Sequence, residues 1–129
     1  TELKEGGANV SVGQRQLLCL ARALLTRKAI VALDESTAHL DAATAAALRR
    51  TILHLRGKHT VLIIAHRLED IAMCDEVVVM AEGRIAEKGR PLDLLRNPTG
   101  AFSGLVQELD AEGVAHIHEL ALEASELAR

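Results

Sequence analysis

Two short, largely apolar segments, 29–33 and 60–64, constrain the fold of this 129-residue chain more than any other feature. Neither segment alternates apolar with polar residues, a pattern typical of strands that are buried on both faces of a parallel sheet. An apolar helical stripe precedes the first segment, and an alanine-rich helical pattern separates the two. Strands that alternate with helices over short loops predict an α/β fold built on a parallel sheet with flanking helices.

The elements around these strands carry start and stop signals. Ser11 followed by Gln14 is a capping-box pattern, which predicts a helix start. Asp41 can cap the next helix, over 42–56, and Gly57 ends it. Further along, the pattern predicts a helix over 68–73, a strand over 76–80, an antiparallel strand over 84–87, a helix over 91–95 and helix from Phe102 onward.

Composition argues against several classes of protein. The formal net charge is −3 and Phe102 is the only aromatic residue, so neither a basic nucleic-acid face nor a base-stacking platform is expected. Cys19 and Cys74 lie far apart and outside any C-x-x-C pair, so we expect no disulfide scaffold and no zinc site. No apolar run approaches the roughly 18 residues of a membrane span. We therefore expect the chain itself to be soluble and to reach a membrane only through a partner.

The C-terminal residues differ in charge from the rest of the chain. Residues 108–129 hold six acidic residues and one basic residue, whereas apolar residues recur there with helical spacing. The simplest interpretation is an amphipathic helix with a solvated acidic face. We predict an acidic helical tail over 111–129. The apolar stripe consists of Val114, Ile117, Leu120, Ala121 and Ala124.

The first group of residues that could carry chemistry lies at the predicted start of the first helix. A helix N-terminus offers free N–H groups and a partial positive charge to an anion. Ser11 adds a hydroxyl donor, and Gly13 lets a ligand approach the backbone. The alternative is an ordinary helix cap formed by Ser11 and Gln14, and these residues alone do not exclude it.

The second and third groups follow the two apolar strands. Asp34 and Glu35 end the first strand, and open α/β sheets bind ligands at the carboxyl ends of their strands. One carboxylate can hold Mg²⁺ while the other orients a water, although two acids at a helix entrance are equally plausible. His66, which follows the second strand, can contact a phosphate or a water, or can be a satisfied loop residue.

Together, the order and spacing of these groups resemble one family, the ATP-binding-cassette (ABC) transporter ATPases. Residues 10–25 resemble the signature motif and its helix, in the form found in the multidrug-resistance-associated C subfamily, where a hydrophobic residue such as Val12 often replaces the first glycine. Residues 29–35 resemble the Walker B strand with its catalytic glutamate. Residues 38–41 resemble the D-loop, and residues 65–68 resemble the switch-histidine segment.

The resemblance covers residues 5 to about 110. It implies that 1–110 is the C-terminal half of a nucleotide-binding domain, which is a partial P-loop (RecA-like) sheet together with the signature helix. No G-x-x-x-x-G-K-[ST] motif occurs in the sequence. We therefore expect a missing half to supply the phosphate-binding Walker A loop, and we expect the isolated chain to be inactive.

The resemblance also implies roles for single residues, with ATP and Mg²⁺ as cofactors. Asp34 would bind Mg²⁺, Glu35 would polarise the attacking water, and His66 would contact the γ-phosphate. Asp41 would communicate across a domain dimer.

The implied partners are a second nucleotide-binding domain and the transmembrane domains of an exporter. Two such domains meet head to tail in the family, so Ser11, Gly13 and Gln14 would close on ATP held by the partner. The location would be the cytoplasmic face of a membrane. Two other hypotheses stay open: a non-catalytic module that pairs with an intact nucleotide-binding domain, and the tail of a chromosome-maintenance ATPase, which the charge and the lack of coiled-coil flanks disfavour.

Overall fold

The computed structural model describes residues 2, 4–26, 28–35 and 40–127. The chain divides into two compact units, Thr1–His66 and Arg67–Arg129. The first contains a two-stranded parallel sheet and the second a two-stranded antiparallel sheet, each with helices. The predicted α/β class is therefore confirmed.

The first unit has one short 3₁₀ helix, two α-helices and two strands among its described residues. The strands pair in parallel, with Ile30 opposite Thr60 and Asp34 opposite Ile64, as the two apolar segments predict. The elements are the 3₁₀ helix Glu5–Gly7, α1 (Val12–Leu25), β1 (Ile30–Asp34), α2 (Ala42–Leu53) and β2 (Thr60–Ile64).

Both helices of this unit begin at the predicted caps. The Ser11 hydroxyl accepts from the Gln14 N–H at 3.1 Å, and Gln14 Oε1 accepts from the Ser11 N–H at 2.9 Å. Each side chain thus satisfies a backbone donor that the helix leaves free. Asp41 caps α2 in the same way, through the Thr44 N–H at 3.0 Å. α2 ends at Leu53, three residues before its predicted end, and a turn leads to Gly57, whose φ is 73°.

The core of the first unit lies on one face of the sheet. Val31 and Leu33 of β1 are buried against Leu20 of α1 and Leu48 of α2. The prediction that these strands are buried on both faces is wrong for the described chain, because α1 and α2 pack on the same face of the sheet. The other face exposes three large apolar side chains: Ile30 (68%), Leu62 (60%) and Ile64 (57%).

The second unit begins with a short helix and an antiparallel hairpin. Glu82 and Gly83 form the turn with φ of 50° and 73°, the left-handed values that a tight hairpin turn requires. The predicted antiparallel return strand is confirmed, and β3 pairs with it in a sheet of its own. The elements are α3 (Leu68–Ala72), β3 (Val77–Ala81), β4 (Arg84–Gly89), α4 (Pro91–Leu95), α5 (Ala101–Gln107) and α6 (Ala111–Leu127).

The single aromatic residue forms the centre of the second core. Phe102 is fully buried, and Val106 and Ile117 pack into the same cluster. The helix predicted from Phe102 onward is divided into α5 and α6, because Asp110 accepts from the Gly113 N–H at 2.8 Å and starts a new helix. The predicted stripe of α6 is confirmed at its buried positions Ile117, Ala121 and Ala124. The helix packs against α3, α4 and α5.

Three smaller findings complete the fold. Cys19 and Cys74 are not joined in a disulfide, and the Cys74 thiol donates to the Asp70 carbonyl at 3.4 Å. Within the described residues, no helix has the length and apolar character to cross a membrane. The same residues contain no cluster of three or more His, Cys, Asp or Glu side chains able to hold a metal ion.

Candidate functional site

The parallel strand pair brings together two of the predicted site residues. Parallel strands end at the same edge of a sheet, so the residues that follow β1 and β2 become neighbours. The Glu35 N–H donates to the Ile64 carbonyl at 2.8 Å, which extends the strand pairing by one residue. His66 Nε2 then lies 2.8 Å from Glu35 Oε1, although 31 positions separate the two residues in sequence.

The chemistry of this pair follows from its donors and acceptors. A carboxylate can only accept, so His66 Nε2 carries the proton in this hydrogen bond. The side chains are 78% exposed at His66 and 48% exposed at Glu35. A side-chain contact this exposed adds little to folding stability. The arrangement is therefore an accessible carboxylate–imidazole pair at a sheet edge, where a ligand or a water can reach both groups.

Glu35 is held in a strained backbone conformation. Its φ of 46° lies in the left-handed region, which costs a residue with a Cβ about 1–2 kcal/mol. Backbone strain of this kind clusters at functional sites. The N–H of Glu35 is bound to Ile64, and its carbonyl accepts from Gln16 Nε2 at 3.5 Å.

Asp34 stands next to Glu35 at the end of β1. It is exposed, since the inward positions of the strand belong to Val31 and Leu33. Mg²⁺ is usually held by one or two carboxylates together with phosphate and water oxygens rather than by a complete protein cage. The exposed carboxylate of Asp34, which precedes Glu35 in sequence, fits this mode of binding.

Ser11, Gly13 and Gln14, at the start of α1, form no hydrogen bond with the Glu35–His66 pair among the described residues. Ser11 and Gln14 form the predicted capping box. The box uses their oxygens as acceptors and leaves the Ser11 O–H and the Gln14 Nε2–H groups to donate. Gly13 is buried in the first turn of the helix. In the part of the chain that the structure describes, no hydrogen bond joins this group to Asp34, Glu35 or His66.

Asp41 is used as a helix cap with both carboxylate oxygens. The Thr44 hydroxyl donates to Oδ2 at 2.6 Å, and the Thr44 N–H donates to Oδ1 at 3.0 Å. The Thr44 hydroxyl first, and then its N–H, hold the pKa of Asp41 below its ordinary value of 3.8. The first two residues of the predicted D-loop, 38 and 39, lie outside the described residues.

Sequence reasoning missed the contribution of Gln16. It lies four residues before the buried Leu20 and therefore on the packed side of α1. A polar residue on the packed side of a helix is the signal that could have identified Gln16, because burying a polar group is unfavourable unless it forms a hydrogen bond. Neither its partner Glu35 nor the left-handed φ of that partner follows from periodicity.

The fold and the site by themselves define a class of protein. A parallel strand pair that presents carboxylates and an imidazole at its carboxyl edge, with a capped helix beside it, is an α/β domain of the kind that binds ligands at the strand ends.

Known proteins identify the family within this class. The sequence model of the ABC transporter family matches residues 1–38. The chain is 42% identical over 117 residues to a multidrug resistance protein of Leishmania tarentolae, covering 90% of this chain and 8% of that protein. It is 44% identical over 121 residues to ATP-binding cassette sub-family C member 4 of Mus musculus, covering 94% and 9%.

A solved structure agrees in fold. The structure of a bacterial Atm1-family ABC exporter with ATP bound matches with a TM-score of 0.76 and 35% identity, over 84% of this chain and 19% of that one. The chain belongs to the ABC transporter family and corresponds to part of a nucleotide-binding domain of the C-subfamily type. It spans less than a tenth of the length of the two curated relatives named above.

Proposed function

We propose that the chain supplies the signature, Walker B and switch-histidine part of the ATP-binding and ATP-hydrolysing domain of an ABC exporter. The observation that carries this proposal is the 2.8 Å hydrogen bond between Glu35 and His66 at the carboxyl edge of the parallel strands. The proposed reaction needs a base and a phosphate-contacting imidazole close together. The contact between Glu35 and His66, which are 31 positions apart in sequence, supports assigning these two roles to them.

Three residues act at the chain's own half-site in this proposal. Asp34 holds Mg²⁺, which offsets phosphate charge when it is bound. Glu35 orients the attacking water and accepts its proton. His66 donates its Nε2–H to a γ-phosphate oxygen. In the structure described here, the same N–H donates to Glu35. When it donates to the phosphate instead, the Glu35 carboxylate is free to accept a hydrogen bond from water.

The start of α1 serves a different half-site. Ser11, Gly13 and Gln14 close on ATP held by a second nucleotide-binding domain, which packs head to tail with this one. The donors left by the capping box and the positive end of the helix favour a phosphate there. Asp41 communicates across the same interface. The boundary between a domain portion, 1–110, and an acidic tail, 111–129, stays a prediction.

Phosphate binding needs a loop that the sequence 1–129 does not contain. In phosphate-binding loops of this kind, backbone N–H groups and a lysine surround the phosphates. Asp34 and Glu35 alone repel a nucleotide. We therefore propose that a Walker A segment from outside these residues completes the site, that transmembrane domains couple it to export, and that it works at the cytoplasmic face of a membrane.

The test is ATPase activity of the chain with and without a Walker A-containing half from a related domain. Hydrolysis that requires both parts supports a split site with competent Asp34, Glu35 and His66. A folded chain with no activity in either mixture contradicts the catalytic role. That outcome favours the non-catalytic pairing module, which the exposed apolar sheet face of Ile30, Leu62 and Ile64 also suits.

A further inference from the structure

Gln16 is a half-buried residue of α1 for which the proposed function provides no role. Its Nε2 donates to the Glu35 carbonyl at 3.5 Å. Its Oε1 is buried and has no hydrogen-bond partner among the described residues. A buried acceptor without a hydrogen bond destabilises the folded chain. An apolar side chain would avoid that cost at this position, so the amide contributes something that packing does not.

The orientation of the amide follows from the same contacts. Turning the side chain by 180° would place Oε1 against the Glu35 carbonyl, and two acceptors would face each other. The donor therefore faces Glu35, and the contact binds the backbone on the C-terminal side of that residue.

The Glu35 backbone is thus held from both sides of its Cα. Its N–H is bound to the Ile64 carbonyl at 2.8 Å, and its own carbonyl is bound to Gln16. With both peptide planes held, the Cα–Cβ bond has a set direction, which points the carboxylate at His66 Nε2. Without these two hydrogen bonds, the glutamate would lower its free energy by leaving the left-handed region for a conformation with negative φ.

We infer that Gln16 is a positioning residue that holds Glu35 in its left-handed conformation and aims its carboxylate. The inference deepens the proposed function and rests on it.

The first test is kinetic and uses the chain completed by a Walker A half. Gln16→Met keeps the size of the side chain and removes the donor, so kcat should fall about tenfold to a hundredfold. The KM for ATP should stay within about twofold, because the substrate-binding groups are unchanged. A kcat within about twofold of wild type would overturn the inference.

Gln107→Met is the matched control. Gln107 Nε2 donates to the Pro98 carbonyl at 3.4 Å, the same kind of bond in the other compact unit. This variant should retain wild-type kcat. An equal loss in both variants would show a general effect of losing an amide and would count against a specific role for Gln16.

The second test needs no activity and separates failure of this inference from failure of the proposed function. In the isolated chain, the ¹⁵N resonance of His66 Nε2 reports its hydrogen bond to Glu35. Gln16→Met should move that resonance toward its position in Glu35→Gln, and an unchanged resonance would overturn the inference even if no ATP is hydrolysed. Gln16→Asn, which shortens the side chain, serves the same purpose if the methionine variant does not fold.

Discussion

At the scale of single residues, the chemistry depends on one glutamate in an unusual conformation. Glu35 follows β1 with a φ of 46°, and its carboxylate oxygen Oε1 lies 2.8 Å from His66 Nε2. Its carboxylate is exposed enough for a water to reach it. Its charge and its conformation can be tested separately.

Glu35→Gln tests the charge. The amide keeps the size of the side chain but is a poor proton acceptor, so hydrolysis by the completed domain should fall by at least about a hundredfold while ATP stays bound. Steady-state ATPase and ATP-retention assays measure the two effects. Glu82→Gln, at the other left-handed glutamate, is the control and should leave turnover unchanged. Normal turnover in Glu35→Gln would refute the role of Glu35 as the base.

The backbone conformation is tested by comparing Glu35→Gly with Glu35→Ala. Both remove the carboxylate, and only alanine keeps the Cβ that disfavours a positive φ. The glycine variant should have the larger free energy of unfolding, by about 1 kcal/mol. Chemical denaturation followed by circular dichroism suits this chain, which has no Trp or Tyr. Equal stabilities would mean that residue 35 is not left-handed in solution.

At the scale of elements, the start of α5 depends on a side chain from β4. Glu87 Oε2 accepts from the Phe102 N–H at 2.8 Å and so caps a helix that follows it in sequence. A Cβ on Gly100 would collide with Glu87 Oε1. This position of the Glu87 cap therefore requires glycine at position 100.

Gly100→Ala should destabilise the chain by about 1–3 kcal/mol, because moving Glu87 breaks a charge-assisted hydrogen bond. Gly104→Ala is the matched control within the same helix. A Cβ there meets nothing within 4 Å, so alanine should stabilise the chain by about 0.5–1 kcal/mol. Opposite signs in thermal or urea unfolding are expected, and a shared sign would contradict the Glu87 cap.

The cap of α2 gives a pH-dependent prediction. The pKa of Asp41 is held below 3.8 by Thr44 in the folded chain. Its contribution to stability is therefore present above pH 3.8 and is lost as the pH falls through the lower folded-state pKa. Asp41→Asn keeps a capping oxygen that does not titrate. As the pH is lowered through this acidic range, the free energy of unfolding of the variant should therefore fall less steeply than that of the wild type. Parallel pH profiles would contradict the pKa assignment.

At the scale of the whole molecule, each compact unit has its own core, and in the described part of the first unit the helices cover one face of the sheet only. The uncovered face presents Ile30, Leu62 and Ile64 to solvent. Contiguous exposed apolar surface and unpaired strand edges favour association.

Leu62→Thr should therefore reduce concentration-dependent association of the chain, since threonine suits a strand and is polar. Sedimentation velocity over a range of concentrations measures the effect. Leu25→Thr makes the same change at an 83% exposed residue at the end of α1, outside the sheet, and should leave association unaltered. If both variants behave like wild type, the sheet face is not the association surface.

Local signals in the sequence determined the elements and the family. Caps at Ser11 and Asp41, the turn at Glu82 and the apolar runs of β1 and β2 act within a few residues, so they could be identified without a fold. The candidate site residues were chosen in the same way, from their positions at helix starts and strand ends.

Only the tertiary structure decided which of those residues meet, and at what angle. The Glu35–His66 contact depends on the parallel register of two strands. The left-handed turn at Glu35 and the hydrogen bond from Gln16 depend on the packing of α1 against that pair. The burial of one sheet face rather than two depends on where both helices lie. These are non-local interactions, because their free energy comes from residues far apart in the chain. Hydrophobic periodicity is read within a short stretch of sequence, so it cannot predict them.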